Sequence, residues 1–136
     1  MNVFIDTSAF LAILNSEDLF HKPAKNTWTA ILSNEHRLAC SNYILVELIA
    51  LLQNRFGLDA VKLFENDILP VIDVIWVDED THKHAIKTLI LLNQRRLSLV
   101  DCTSFEILRS QNFDHVFTFD SHFSELGFSV FPTPID

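Results

Sequence analysis

The sequence predicts an α/β fold: three layers, α/β/α, with a mostly parallel central sheet of about five strands. Three observations predict it. Short apolar runs of β character, Val3-Phe4-Ile5 first among them, alternate along the chain with longer segments of helical period. Hydrophobic residues make up 49% of the chain, enough for a sizeable core and too many for a disordered protein. No linker, repeat or low-complexity tract interrupts the alternation, so residues 1–136 read as one domain.

The elements follow in order. Asn2–Ile5 is a short buried strand, and Ser8–Asn15 a short helix capped by Thr7 or Ser8, with Phe10, Leu11, Ile13 and Leu14 as its apolar side. Glu17-Asp18 opens a second helix that runs to about Asn34, with Pro23 in its first turn. Arg37–Cys40 is a strand. Ser41 or Asn42 caps a third helix, Tyr43 to about Arg55, apolar almost all round except at Glu47 and ended by Gly57. Leu58–Leu69 is a helix stopped by Pro70, and Val71–Val77 a strand. Asp80 or Thr81 caps a helix through about Arg96; Ser98 caps another, Leu99–Ser110. His115–Phe119 is a strand, Ser121–Leu126 a helical turn and Phe128–Phe131 the last strand, with Pro132 and Pro134 closing the chain.

Composition excludes several functions. The formal net charge of −8 argues against a simple nucleic-acid binder, which is usually basic. It suits a site crowded with carboxylates. Two glycines are too few for a P-loop or a dinucleotide fingerprint. No apolar run approaches a membrane span, and no basic-then-apolar leader precedes the first strand, so a cytoplasmic protein is expected. Cys40 and Cys102 lack zinc or redox spacing and read as reduced thiols.

Four acids stand out from apolar settings: Asp6 after Val3-Phe4-Ile5, Glu47 inside Ile44–Ile49, Asp101 after Leu99-Val100, and Asp120 after Val116–Phe119. An ionised carboxylate in such surroundings is costly unless paired or metal-bound. Asp6, Asp101 and Asp120 fall at strand ends or helix starts, where open α/β sheets bind their ligands. Each of these three has an ordinary reading as a helix cap, and Ser98-x-x-Asp101 is a capping-box pattern. Glu47 is mid-helix, where no cap explains it. Together the four would repel one another unless cations stood between them, and oxygen-only ligands favour Mg²⁺ or Mn²⁺ over zinc.

The same residues carry a family resemblance. Phe4-Ile5-Asp6-Thr7-Ser8-Ala9-Phe10, Val46-Glu47, Ser98-Leu99-Val100-Asp101 and Thr118-Phe119-Asp120-Ser121-His122-Phe123 stand in order across the whole chain. They resemble PIN-domain nucleases, and most of all the VapC-type toxins of toxin–antitoxin pairs. The resemblance implies a PIN-like fold and a Mg²⁺- or Mn²⁺-dependent ribonuclease. Asp6, Glu47, Asp101 and Asp120 would be its catalytic and metal-binding acids. Thr7 or Ser8 would orient water or ligand beside Asp6, and Thr118 would support Asp120. A homodimer and a small antitoxin partner are implied as well. The alternative is a catalytically silent PIN-like module that binds RNA or protein, which would have no need of four mutually repelling acids. An aspartyl-phosphate enzyme is disfavoured because position 8 is Ser rather than Asp.

Other residues are weighed against simpler roles. Arg95 and Arg96, with Lys22 and Lys25, are candidates to hold RNA phosphates, against the simpler reading of solvated charges. His82 and His84 point to different helix faces, which disfavours zinc. His122 reads as a surface histidine, Cys102 as a small core residue, and most phenylalanines as core, with Phe123 a weak candidate for base stacking. The apolar helix over Tyr43–Leu52 exceeds what a small domain needs to bury, so part of it reads as a partner surface.

Overall fold

A computed structural model describes residues 1–133. Five strands, β1 (Asn2–Ile5), β2 (Arg37–Ser41), β3 (Asp73–Ile75), β4 (His115–Phe117) and β5 (Val130–Phe131), form one sheet in the order β3-β2-β1-β4-β5. Every pairing is parallel. The helices are α1 (Thr7–Leu14), α2 (His21–Leu32), α3 (Asn42–Phe56), α4 (Leu58–Leu63), α5 (Glu79–Leu92), α6 (Leu99–Ser110) and α7 (Ser121–Glu125). The α/β class, the parallel sheet and its five strands agree with the sequence.

β1 lies at the centre and is buried at Val3, Phe4 and Ile5, as a parallel strand covered on both faces must be. The chain builds outward from β1 to β2 and β3, then returns to lay β4 on its other side. The order therefore switches between β1 and β4, and the crevice beyond their carboxyl ends is where such sheets place ligands. Asp6 and Thr118 follow those two strand ends directly.

Several element bounds differ from the sequence reading, each for a local reason. α1 is capped by Asp6, not by Thr7 or Ser8: the carboxylate accepts from the Ser8 backbone N–H at 3.4 Å. α2 begins at His21 rather than Glu17, because side chains capture the backbone upstream. Asn15 Oδ1 accepts from Glu17 N at 3.0 Å, and Asp18 Oδ1 from Phe20 N at 2.8 Å. The helix expected over Leu58–Leu69 is α-helical only to Leu63; a π turn over Phe64–Ile68 and a 3₁₀ turn over Leu69–Val71 follow, and Phe64 and Ile68 are both buried. α5 is capped by Asp78, not by Asp80 or Thr81, through Thr81 N at 2.8 Å. It ends at Leu92 on Asn93 in the left-handed region, so Arg95 and Arg96 lie in the turn beyond it. β3, β4 and β5 are shorter than expected. Pro134 lies outside the described residues.

Other details agree. Ser41 caps α3 and Ser98 caps α6. Gly57 ends α3 with φ +84°, a conformation that favours glycine. Cys40 and Cys102 are both buried free thiols, and burial pushes the Cys40 thiol up to about 12. No helix among the described residues is long and apolar enough to cross a membrane. α3 buries Ile44, Leu48 and Leu52, one face at helical spacing, and packs against α1 and α6. Its opposite face is open, with Val46 70% exposed.

Leu48→Ala should cost about 2–5 kcal/mol by leaving a cavity under α3. Val46→Ala should change stability by less than about 0.5 kcal/mol. Urea unfolding of both variants measures the contrast.

Candidate functional site

Among the described residues Asp6 is the fully buried acid, 4% exposed at the end of β1. Its Oδ2 accepts two hydroxyl protons, from Ser8 Oγ at 2.7 Å and from Thr118 Oγ1 at 3.0 Å. Each hydroxyl in turn accepts a backbone N–H from the loop after β4: Phe119 N donates to Ser8 Oγ at 3.0 Å, and Asp120 N to Thr118 Oγ1 at 3.0 Å. With both protons aimed at Oδ2, that oxygen is held as an acceptor. The network ties the ends of β1 and β4 together through Asp6 Oδ2.

Asp101 sits at the third position of α6. Its Oδ2 accepts from Ser98 N at 2.9 Å while Ser98 Oγ accepts from Asp101 N at 3.1 Å, a complete capping box. Asp120 caps α7: its Oδ1 accepts from His122 N at 3.0 Å and lies 2.7 Å from His122 Nδ1. All three acids therefore cap helices, as their simpler reading held. Yet each cap occupies one oxygen. The second oxygen of Asp6, Asp101 and Asp120 has no hydrogen-bond partner among the described residues.

Electrostatics tie the three together. Burial raises the Asp6 carboxyl from 3.8 to about 6, the Ser8 and Thr118 hydroxyls restrain the rise, and the charges of Asp101 and Asp120 add to it. Asp101 is also raised, first by burial and then by Asp120, against the restraining Ser98 N–H. Three carboxylates, each with an unpartnered oxygen among the described residues, form a donor set whose chemistry fits a hard divalent cation. Their spacing is open: among the described residues no three His, Cys, Asp or Glu side chains stand close enough together to hold a metal ion.

The remaining candidates fall differently. Ser8, not Thr7, is the hydroxyl that bonds Asp6; Thr7 Oγ1 is buried without a partner among the described residues. Thr118 bonds both Asp6 and the Asp120 backbone, so its supporting role is double. Glu47 is half-buried on α3, which packs against α1 and α6, and makes no hydrogen bond or ion pair among the described residues. Arg95 and Arg96 are exposed. His122, read from sequence as a surface residue, is instead partly buried and bonded to Asp120. Its spacing from Asp120, i to i+2 across a helix cap, was the available signal. Phe123 is fully buried and stacks on nothing external. Phe20 and Phe119 do stand at the site, stacked at 4.8 Å with planes 10° apart. That pair joins distant segments, and no local pattern announces it.

The PIN domain family model matches residues 3–129. This chain belongs to the PIN domain family. It is 33% identical over 127 residues to the 23S rRNA-specific endonuclease VapC20 of Mycobacterium tuberculosis, covering 93% of this chain and 95% of that protein. The crystal structure of that protein, described as a sarcin–ricin loop cleaving toxin, superimposes with TM-score 0.81 at 32% identity over 93% of this chain and 95% of the other. VapBC2 of Rickettsia felis, bound to a promoter DNA fragment, matches with TM-score 0.69 at 11% identity, covering 96% of this chain and 97% of that one. FitAcB of Neisseria gonorrhoeae matches with TM-score 0.67 at 17% identity, covering 95% and 96%. These last two likenesses are of fold.

Because Asp6 carries a proton in the folded chain at pH values where the unfolded chain has lost it, this group's contribution to stability falls as pH rises from about 4 to about 6. Asp6→Asn keeps an acceptor for both hydroxyls and removes the buried charge. It should stabilise the protein above about pH 6 by on the order of 2 kcal/mol, with the gain gone near pH 4. Thermal melts across that range, without divalent metal, measure it.

Proposed function

We propose that this protein is a divalent-metal-dependent ribonuclease that hydrolyses RNA phosphodiesters, the toxin of a type II toxin–antitoxin pair. One observation supports the reading: three carboxylates stand on the elements around the switch point of a PIN fold, with open spacing, and each keeps an oxygen outside its own helix cap. Asp6, Asp101 and Asp120 would hold Mg²⁺ or Mn²⁺, with Glu47 approaching from α3 as a fourth acid. When bound, the cation supplies activation of water and stabilisation of the leaving oxygen. The chain's own part is positional. Ser8 and Thr118 fix the Asp6 carboxylate, the Ser98 cap fixes Asp101, and His122 fixes Asp120. Arg95 and Arg96, exposed in the turn before Ser98, would meet RNA phosphates.

The substrate class we propose is 23S rRNA, supported by the likeness to VapC20 over nearly the whole chain. A small antitoxin and a second copy of the chain are the proposed partners. Their support is the toxin relative and a surface rich in exposed apolar side chains, among them Val46, Leu58, Leu63, Ile90 and Leu91. The cytoplasm, where rRNA is found, is the proposed compartment.

The test is cleavage of a mixed RNA pool and of a sarcin–ricin hairpin by purified protein with Mg²⁺ or Mn²⁺, then with EDTA. Cleavage should need the metal. Asp101→Asn, which keeps an acceptor for the Ser98 N–H, should lower the rate at least about a hundredfold with little loss of stability. Wild-type cleavage undiminished in EDTA, or retained by Asp101→Asn, contradicts the assignment.

A further inference from the structure

Beside Asp120 the surface opens into a recess of about 370 Å³, walled by Phe20, Pro23, Phe119 and Pro132, with Thr118 and Asp120 on its lining. The stacked pair Phe20–Phe119 separates it from a second recess of about 370 Å³ that reaches Ser8. Phe20 is 42% exposed. It is the last residue of the loop shaped by the Asn15 and Asp18 side chains, so a large aromatic ring is held at the surface by local hydrogen bonds. The core does not require it there.

We propose that this recess receives an unpaired nucleobase of the RNA, stacked against the Phe20–Phe119 pair and one nucleotide from the phosphodiester held at the carboxylates. The proposal rests on the ribonuclease reading and names how that site grips its substrate. Three features favour a base. The wall is a flat, parallel aromatic pair, the shape on which nucleobases stack. Among the described residues no Lys or Arg lines the recess and Asp120 does, so the lining suits an uncharged ring and repels a phosphate or an acidic side chain. The recess also shares Thr118 and Asp120 with the carboxylate cluster, so a base in it and a phosphate at the acids belong to one short stretch of chain. The hydroxyls of Ser121 and Ser124 lie on the same lining and offer hydrogen bonds to a base edge without a fixed charge. An apolar helix from a protein partner needs a continuous groove, whereas the ring pair divides this surface in two.

The experiment is fluorescence anisotropy of a short fluorescein-labelled single-stranded RNA containing all four bases, titrated with Asp101→Asn protein so that the probe stays intact. Adding Phe20→Ala should weaken binding about tenfold, and Phe20→Trp should restore it. An RNA series with one abasic nucleotide at each position completes the cycle. At one position the missing base should cost the Phe20 protein about the same tenfold, and the Phe20→Ala protein nothing further. Unchanged binding by Phe20→Ala, or abasic losses that are the same in both proteins at every position, overturns the proposal. So does a Phe20→Ala defect confined to binding of a co-purified small protein, which would assign the surface to that partner. Wild-type cleavage assays run in parallel separate the two failures. Cleavage with Phe20-independent RNA binding removes only the base recess, while absence of cleavage removes the ribonuclease reading.

Discussion

A single buried carboxylate organises this end of the molecule. Asp6 leaves water at the carboxyl end of the central strand, and that cost is met by two hydroxyl donors that arrive from different places. Ser8 comes from the first turn of α1 and Thr118 from the end of β4, on the other side of the crevice. Both hydroxyls then accept backbone N–H groups from the loop that carries Asp120. The position of Asp120, the entry of α1 and the closure of β1 on β4 are therefore parts of one hydrogen-bonded junction. Remove the carboxylate's acceptor and the junction loses its centre.

Capping and chemistry are not rivals here. Each acid uses one oxygen to hold a helix start and leaves the other without a partner among the described residues, so the caps fix the carboxylates without consuming them. Burial raises both Asp6 and Asp101, and the charge of Asp120 adds to each rise. The proposed cation would offset that repulsion, which links the arrangement of the acids to the metal-assisted hydrolysis proposed above. Glu47 stands apart from that junction. It is half-buried on α3 and makes no hydrogen bond or ion pair among the described residues.

Much of this was legible in the sequence because it is local. Val3–Ile5 followed by Asp6, Ser98 three residues before Asp101, and Phe119 followed by Asp120 are short-range patterns, and the structure keeps each of them. The misplaced boundaries also have local causes that propensity hides. Asn15 and Asp18 side chains compete with the start of α2, and Asp78 captures the Thr81 N–H before Asp80 can cap. What the sequence withheld is long-range. Nothing at Ser8 announces Thr118, 110 residues away, and nothing at Phe20 announces Phe119. Choosing between Thr7 and Ser8 required knowing which hydroxyl faced β4. The open spacing of the carboxylates is likewise a property of three separate elements and belongs to no single motif.

The cation site is tested most directly by calorimetric binding of Mn²⁺, at neutral pH, to the wild-type protein and to Asp6→Asn, Asp101→Asn, Asp120→Asn and Glu47→Gln. If the three aspartates form one cation site, each aspartate variant loses most of the binding and Glu47→Gln loses less, in keeping with its place outside the hydrogen-bonded junction. Equal Mn²⁺ binding by wild type and the aspartate variants would mean that the carboxylates are helix caps alone, and the account of the site would fail.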